Sequence, residues 1–161
     1  MVAAHPAVGE ILDWLKEVPD PEIPVLSVVD LAIVRDVRWT DDGELVIAIT
    51  PTYSGCPAFD VIARDIRELV TQRGVERLRL ETRLSPPWTT DWMTSEAKER
   101  LREYGVAPPA QLIEIAGTAT VRCPHCGSEA TEVVSRYGST ACKALYKCRS
   151  CLEPFDVFKS H

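Results

Sequence analysis

The residues of this 161-residue chain best suited to chemistry are its six cysteines. Four of them form two C-x2-C pairs, Cys123/Cys126 and Cys148/Cys151, separated by 21 residues. In each pair the short loop lets two sulfurs reach one ion, and two pairs complete a tetrahedron. Gly127 permits the turn that aims backbone amides at the thiolates. The spacer is slightly longer than usual for such pairs, and "ATEVVSRYGSTACKALYKC" reads as a hairpin that absorbs it, turning at Gly138-Ser139. The pattern predicts structural Zn2+, because a segment this small cannot bury enough apolar area to fold without a staple. A mononuclear iron or an iron-sulfur cluster can use the same four thiolates. Four sulfurs leave no open position for water, so catalysis at this ion is not expected. Cys142 lies outside the pairs and reads as a small buried hydrophobe, or as an extra ligand or redox thiol.

The sixth cysteine stands alone in "ITPTYSGCPA", where a strand-like run gives way to a helical pattern. A helix starting near Pro57 puts Cys56 at or beside the N-cap, where free amides and the helix dipole favour a thiolate. Such a thiol suits a nucleophile or a soft metal ligand; the plainer reading is that it caps the helix and fills space. His5, His125 and His161 lie near a terminus or inside a cysteine knuckle, so none is placed as a general base, which disfavours a cysteine hydrolase. Asp20, Glu22, Asp30, Thr50, Thr52 and Ser54 are the polar residues the fold could bring to the thiol. Acids on a Pro-rich loop also serve as solvated or capping groups. Trp88, Trp92 and Met93 occupy a Pro-Pro loop; at least one tryptophan is expected in the core, and an exposed remainder would be a protein-docking surface.

The elements that must position these residues follow from periodicity. Val8, Ile11, Leu12, Leu15 and Val18 mark one helical face, ended by Pro19. "PDPEIPVLS" is too rich in proline for a helix or central strand, and holds Asp20 and Glu22 on a stiff loop. "LAIVRDVRW" and "ELVIAIT" read as strands joined by the turn "TDDG", with Leu45, Ile47 and Ile49 alternating onto a buried face. Phe59, Ile62, Ala63, Ile66, Leu69 and Val70 then mark an amphipathic helix closed by Gly74. "RLRLETRL" alternates as a strand with one solvated face, and a short helix follows the Thr94/Ser95 cap and stops before Gly105. The order helix, strand, strand, helix, strand, helix predicts an α+β domain over 1–105, a linker over 106–117 and a four-cysteine zinc ribbon over 118–161.

Composition bounds the partners. The net charge is -6, and the six Lys/Arg of residues 118–161, against four Asp/Glu, are offset by the negative charge of a four-thiolate zinc site. Neither a nucleic acid nor an anionic membrane is therefore expected as partner. The first residues lack a basic segment leading into a long apolar run, and cysteines clustered in such a chain argue for metal rather than disulfides, so the chain reads as cytoplasmic.

"DPEIPVLSVVDLAIV", "ITPTYSGCPA", "PPWTTDWM", "CPHCGS" and "STACKALYKCRSCLEPFDVFK", taken in order, resemble the PaaD family (also called PaaJ), small accessory proteins of bacterial phenylacetyl-CoA 1,2-epoxidase systems. The resemblance spans nearly the whole chain. Residues 1–105 are also similar to the wider iron-sulfur assembly family that includes SufT and eukaryotic cytosolic targeting factors. The resemblance implies a non-enzymatic role in cluster assembly or maturation, with Cys56 as the functional thiol, Asp20, Pro21 and Glu22 as the family's Asp-Pro-Glu segment, and a frequently dimeric α/β fold. The implied client is the epoxidase reductase, which carries a flavin and a plant-type iron-sulfur centre. On this reading Cys56 is a transient iron or cluster ligand supported by Asp20, Glu22, Thr52 and Ser54, and the ribbon with Trp88 and Trp92 docks the client. The alternatives are a non-catalytic structural component of the monooxygenase and a thiol redox enzyme using Cys56.

Overall fold

The computed structural model describes residues 5–109 and 121–159. In chain order they form α1 (Val8–Leu15), β1 (Val34–Trp39), β2 (Leu45–Ile49), α2 (Ala58–Gln72), β3 (Leu78–Thr82), a 3-10 turn (Thr90–Trp92), α3 (Ser95–Glu103), β4 (Val106–Ala107), β5 (Thr131–Ser135), β6 (Lys143–Cys148) and β7 (Pro154–Phe158). This is the expected α+β order followed by a cysteine-bearing β ribbon. The chain divides into two compact units, residues 1–93 and 94–161.

In the first unit β1 and β2 pair antiparallel, and β3 joins the other side of β2 in parallel, giving the order β1-β2-β3. A parallel neighbour needs a crossover, which α2 supplies. α2 buries Ala58, Ile62, Ile66 and Val70, and each large aliphatic side chain there contributes roughly 1.5–3 kcal/mol. Gly74 (φ +92°) ends the helix run in the left-handed conformation that favours glycine. α1 stops at Leu15, earlier than the apolar spacing through Val18 predicts; Val18 is buried from the segment beyond the helix, and Trp14 joins Ile11 and Leu15 as a buried residue of the helix.

β2 differs from the expected one-faced strand: all five residues are buried. Being central explains the backbone; charged neighbours explain the second face. In register, Arg38 and Arg79 flank Val46, and Asp36 and Glu81 flank Ala48. These side chains join in ion pairs, Arg38–Asp36 (2.6 Å), Arg38–Glu81 (2.9 Å), Arg79–Glu81 (2.8 Å) and Arg83–Asp36 (3.2 Å). Their aliphatic stems cover Val46 and Ala48 while the charged heads stay in water.

In the second unit the strand order is β4-β7-β6-β5; β6 pairs antiparallel with β5 and β7, and β4 runs parallel to β7. The division between the two compact units falls ahead of α3: β4 pairs with β7 of the ribbon, and α3 packs on β4. Thr94 caps α3 by accepting the Ala97 amide at 3.1 Å, as the cap signal predicts. Linker residues 110–117 lie outside the described residues. Among the described residues no helix is long and apolar enough to cross a membrane.

Candidate metal centre and the Cys56 loop

Two knuckles of matching backbone geometry bring the paired cysteines together. The Cys123 amide donates to the Ser128 carbonyl (2.9 Å) and the Cys148 amide to the Glu153 carbonyl (3.0 Å). The residue after each pair takes a left-handed conformation, Gly127 at φ +75° and Leu152 at φ +68°. Glycine accommodates this freely; in Leu152 it is strained. The Ser150 amide lies 3.4 Å from the Cys148 sulfur, as expected of a knuckle that aims N–H groups at thiolates. Ser128 and Ser150 join the knuckles through their hydroxyls at 2.8 Å, and Arg149 holds Glu132 of β5 at 2.7 Å.

The four sulfurs lie within 4.8 Å of one another, with Cys123–Cys151 at 3.7 Å and Cys126–Cys148 at 3.6 Å. Sulfurs at ~2.3 Å from a tetrahedral ion stand ~3.8 Å apart, so the donor set fits Zn2+. Cys123 and Cys148 are buried with Ala107, Val121, Phe155 and Val157, so one sulfur of each knuckle is anchored in a small apolar cluster, while Cys126 is exposed and Cys151 half-buried. The Cys151 amide, helped by the Ser150 amide and the Cys126 and Cys151 thiols, outweighs the opposing effect of burial and lowers the Cys148 thiol to about 6. Cys151 is pushed up to about 12: the Glu153 amide pulls it down, but burial and its hydrogen bonds with the other three cysteines outweigh that. Crowded thiols resist simultaneous ionisation, and a divalent cation is the species that relieves it.

Cys56 belongs to the loop that leads from β2 into α2. Thr50 is buried and its amide donates to the Ile33 carbonyl at 2.9 Å, tying down the strand end. Thr52 and Ser54 follow in the same loop, and Gly55 takes φ +77°, with nothing within 4 Å of an added Cβ. The Cys56 amide reaches the Tyr53 carbonyl at 3.3 Å, and the Cys56 carbonyl accepts the Phe59 amide at 3.1 Å. Pro57 is the cap and is already helical (φ -68°, ψ -23°), with no side-chain cap bond. Cys56 is thus one residue outside the cap and its thiol does not cap the helix; it is half-buried.

Asp20 is buried, and its Oδ1 accepts the amides of Glu22 and Ile23 at 2.8 Å each. Glu22 is half-buried on the same loop. Ser27 and Asp30 form a reciprocal cap: Asp30 Oδ2 accepts the Ser27 amide (2.8 Å) and hydroxyl (2.9 Å), and Ser27 Oγ accepts the Asp30 amide (3.1 Å). The Ser-x-x-Asp spacing was the signal for it. Among the described residues, the ribbon cysteines are the one group of three or more Cys, His, Asp or Glu side chains whose donor atoms converge. Asp20, Glu22 and Cys56 are outside it.

Trp88 corrects its expected docking role. It is 3% exposed and its Nε1 donates to the Leu31 carbonyl at 2.7 Å, so it is core. Trp92 is half-buried, with the Arg35 guanidinium 3.6 Å from its ring centroid. Met93 is also buried. Cys142 is buried with the Thr140 hydroxyl 3.0 Å from its sulfur, away from the four-sulfur group. His5 stacks on Trp39 at 4.1 Å, and His161 lies outside the described residues.

Comparison with known proteins gives two family matches: the PaaD zinc beta ribbon domain over residues 107–159 and the iron-sulfur cluster assembly protein family over residues 9–76. The chain is 52% identical over 157 residues to a putative 1,2-phenylacetyl-CoA epoxidase component of Escherichia coli strain K12, covering 97% of this chain and 94% of that protein. It is 37% identical over 89 residues to an Fe-S protein maturation auxiliary factor of Porphyromonas gingivalis, covering 55% of this chain and 84% of that protein. Among solved structures, a domain of unknown function from Bacillus anthracis superposes with a TM-score of 0.54 at 28% identity, covering 58% of this chain and 89% of that one. A conserved hypothetical protein of Thermotoga maritima gives 0.51 at 31% identity, covering 60% and 94%.

Proposed function

The chain belongs to the PaaD family, and from that premise we propose that it is a non-catalytic accessory protein for iron-sulfur cluster assembly in a phenylacetyl-CoA epoxidase system. Its client is the iron-sulfur flavin reductase of that system, and Cys56 is the transient ligand for iron or for one edge of the cluster in transit. The relatives named as maturation factors support the assembly role. Cys56 itself is supported by one observation: among the six free thiols it is the one that is neither buried nor part of the four-sulfur group.

One thiol cannot hold a cluster that takes four ligands. Thr52 and Ser54 share its loop, while the Asp20 oxygen that accepts two amides is already committed there. The remaining ligands come from a second copy in a homodimer or from a client cysteine. Incomplete ligation leaves a cluster labile, which suits delivery rather than electron storage.

Cys123, Cys126, Cys148 and Cys151 are assigned to Zn2+, which when bound would cross-link the knuckles and supply folding energy. The ribbon, with the accessible part of Trp92, recognises the client. Free thiols throughout fit work in the cytoplasm.

The test is Cys56→Ser. The variant is expected to keep its fold and zinc content, and to lower iron and sulfide per reductase several-fold when the two proteins are co-produced and purified anaerobically. Unchanged occupancy would sink the transfer role and leave a structural component of the complex. Thiol-disulfide turnover of a small disulfide substrate, lost in the variant, would instead mark a redox enzyme.

A further inference from the structure

A groove of about 230 Å³ lies between the segment that leaves α1 and the second half of α2. Part of its lining is apolar: Val18 is buried, Leu69 is half-buried, and Pro19 joins them. The rest is acidic apart from Gln72. Glu17 comes from the segment after α1, and Asp65 and Glu68 come from α2, where a spacing of three makes them neighbours on one helical face. Among the described residues no lysine, arginine or histidine lines this groove.

The α2 carboxylates are only partly used. Asp65 meets Arg64 through Oδ1, leaving Oδ2 to accept, and Glu68 accepts the Gln72 side-chain amide through Oε1, leaving Oε2. Glu17 is held by Arg73, with both oxygens 2.7 Å from one guanidinium nitrogen. These acids are not a metal site, since among the described residues they belong to no group of three or more donors that converge on one ion. A long cationic side chain satisfies what a small ion does not. Its aliphatic stem covers apolar surface while its head reaches the carboxylates, and the planar guanidinium fork suits two carboxylates side by side. Charge complementarity extends beyond the groove. Residues 1–93 carry sixteen Asp/Glu against nine Lys/Arg, a field that draws in a basic partner.

We propose that this groove docks an arginine-bearing apolar segment of a partner protein, its stem against Val18, Pro19 and Leu69 and its guanidinium at Asp65 and Glu68, with Glu17 opposite. A divalent ion or a polyamine would use the charge and leave the apolar lining idle. The groove lies along the half of α2 farther from Cys56, so the proposal goes beyond the Cys56 reading and does not rest on it.

An NMR titration of the zinc-loaded full chain tests it. The probe is the acetylated tetrapeptide Arg-Leu-Arg-Leu, with magnesium ion and spermidine as controls. The amide signals of Val18, Asp65, Glu68, Leu69 and Gln72 are expected to shift saturably with the peptide, and more weakly at high salt. Glu68→Lys sets a like charge in the groove and is expected to weaken binding roughly tenfold. Leu69→Gln keeps every carboxylate, removes apolar contact and is expected to weaken it several-fold. The Glu68 carboxylate bonds only to Gln72 among the described residues, and an unchanged amide spectrum outside the groove reports that each variant is folded. Signals unmoved by the peptide overturn the proposal. So does magnesium or spermidine that matches the peptide, or a Glu68→Lys variant that binds as the wild type does. The same signals moving with protein concentration alone would give the groove to a second copy and overturn it equally. Because cluster content is not the readout, failure here is distinct from failure of the Cys56 reading.

Discussion

Asp20, itself buried, spends one carboxylate oxygen on two backbone amides of a loop that three prolines stiffen. Removing it orphans both amides, so Asp20→Ala is expected to cost about 1–2 kcal/mol in urea unfolding, and Asp20→Asn less, since an amide oxygen still accepts. Its first role is therefore to shape the loop. Ala32 is a residue-scale case of the opposite sign. Its φ of +52° is a conformation that costs an L side chain roughly 1–2 kcal/mol. Ala32→Gly removes that strain and gives back part of it as unfolded-state entropy. The expected outcome is a gain of up to about 1 kcal/mol, read as a Tm higher by a few degrees.

Of the elements, β2 has a second face covered by charge rather than by helix, and that makes its neighbourhood acid-sensitive. The Arg38 guanidinium, hydrogen-bonded to both, holds the Asp36 and Glu81 carboxyls below their ordinary values, and Thr40 with Arg77 does the same for Asp42. A carboxyl depressed in the folded state stabilises the fold above its unfolded pKa, and the contribution is lost as pH falls through the folded value. Melting temperature should thus drop between about pH 5 and pH 3 beyond what general acid unfolding explains. Glu81→Gln is expected to flatten that drop, and added salt to shrink it, because these pairs are solvent-exposed and screened.

At the scale of the whole molecule, the two units rely on different sources of stability. The first has an extended aliphatic core from Ile11 to Met93. The second has a cluster of six buried residues, two of them metal-site cysteines. Structural zinc sites supply on the order of 10 kcal/mol of folding energy. Chelation is therefore expected to abolish amide-exchange protection over 121–159 while leaving that of 5–93 in place; equal loss in both would contradict it. Much of this organisation is legible in sequence, because it is local. Two cysteines on a short loop can meet one ion whatever the rest of the chain does. The change of period after Cys56, the Thr94 cap and the stop at Gly74 are likewise written within a few residues. The tertiary structure alone decided what depends on residues far apart in the chain. Arg38 and Glu81 bury Ala48 and Val46 from neighbouring strands, Leu31 takes the Trp88 indole into the core, and β4 pairs with β7 and carries α3 into the second unit. Spacing encodes local geometry, whereas burial is a property of pairs, and the partner in each of these pairs is chosen by the fold.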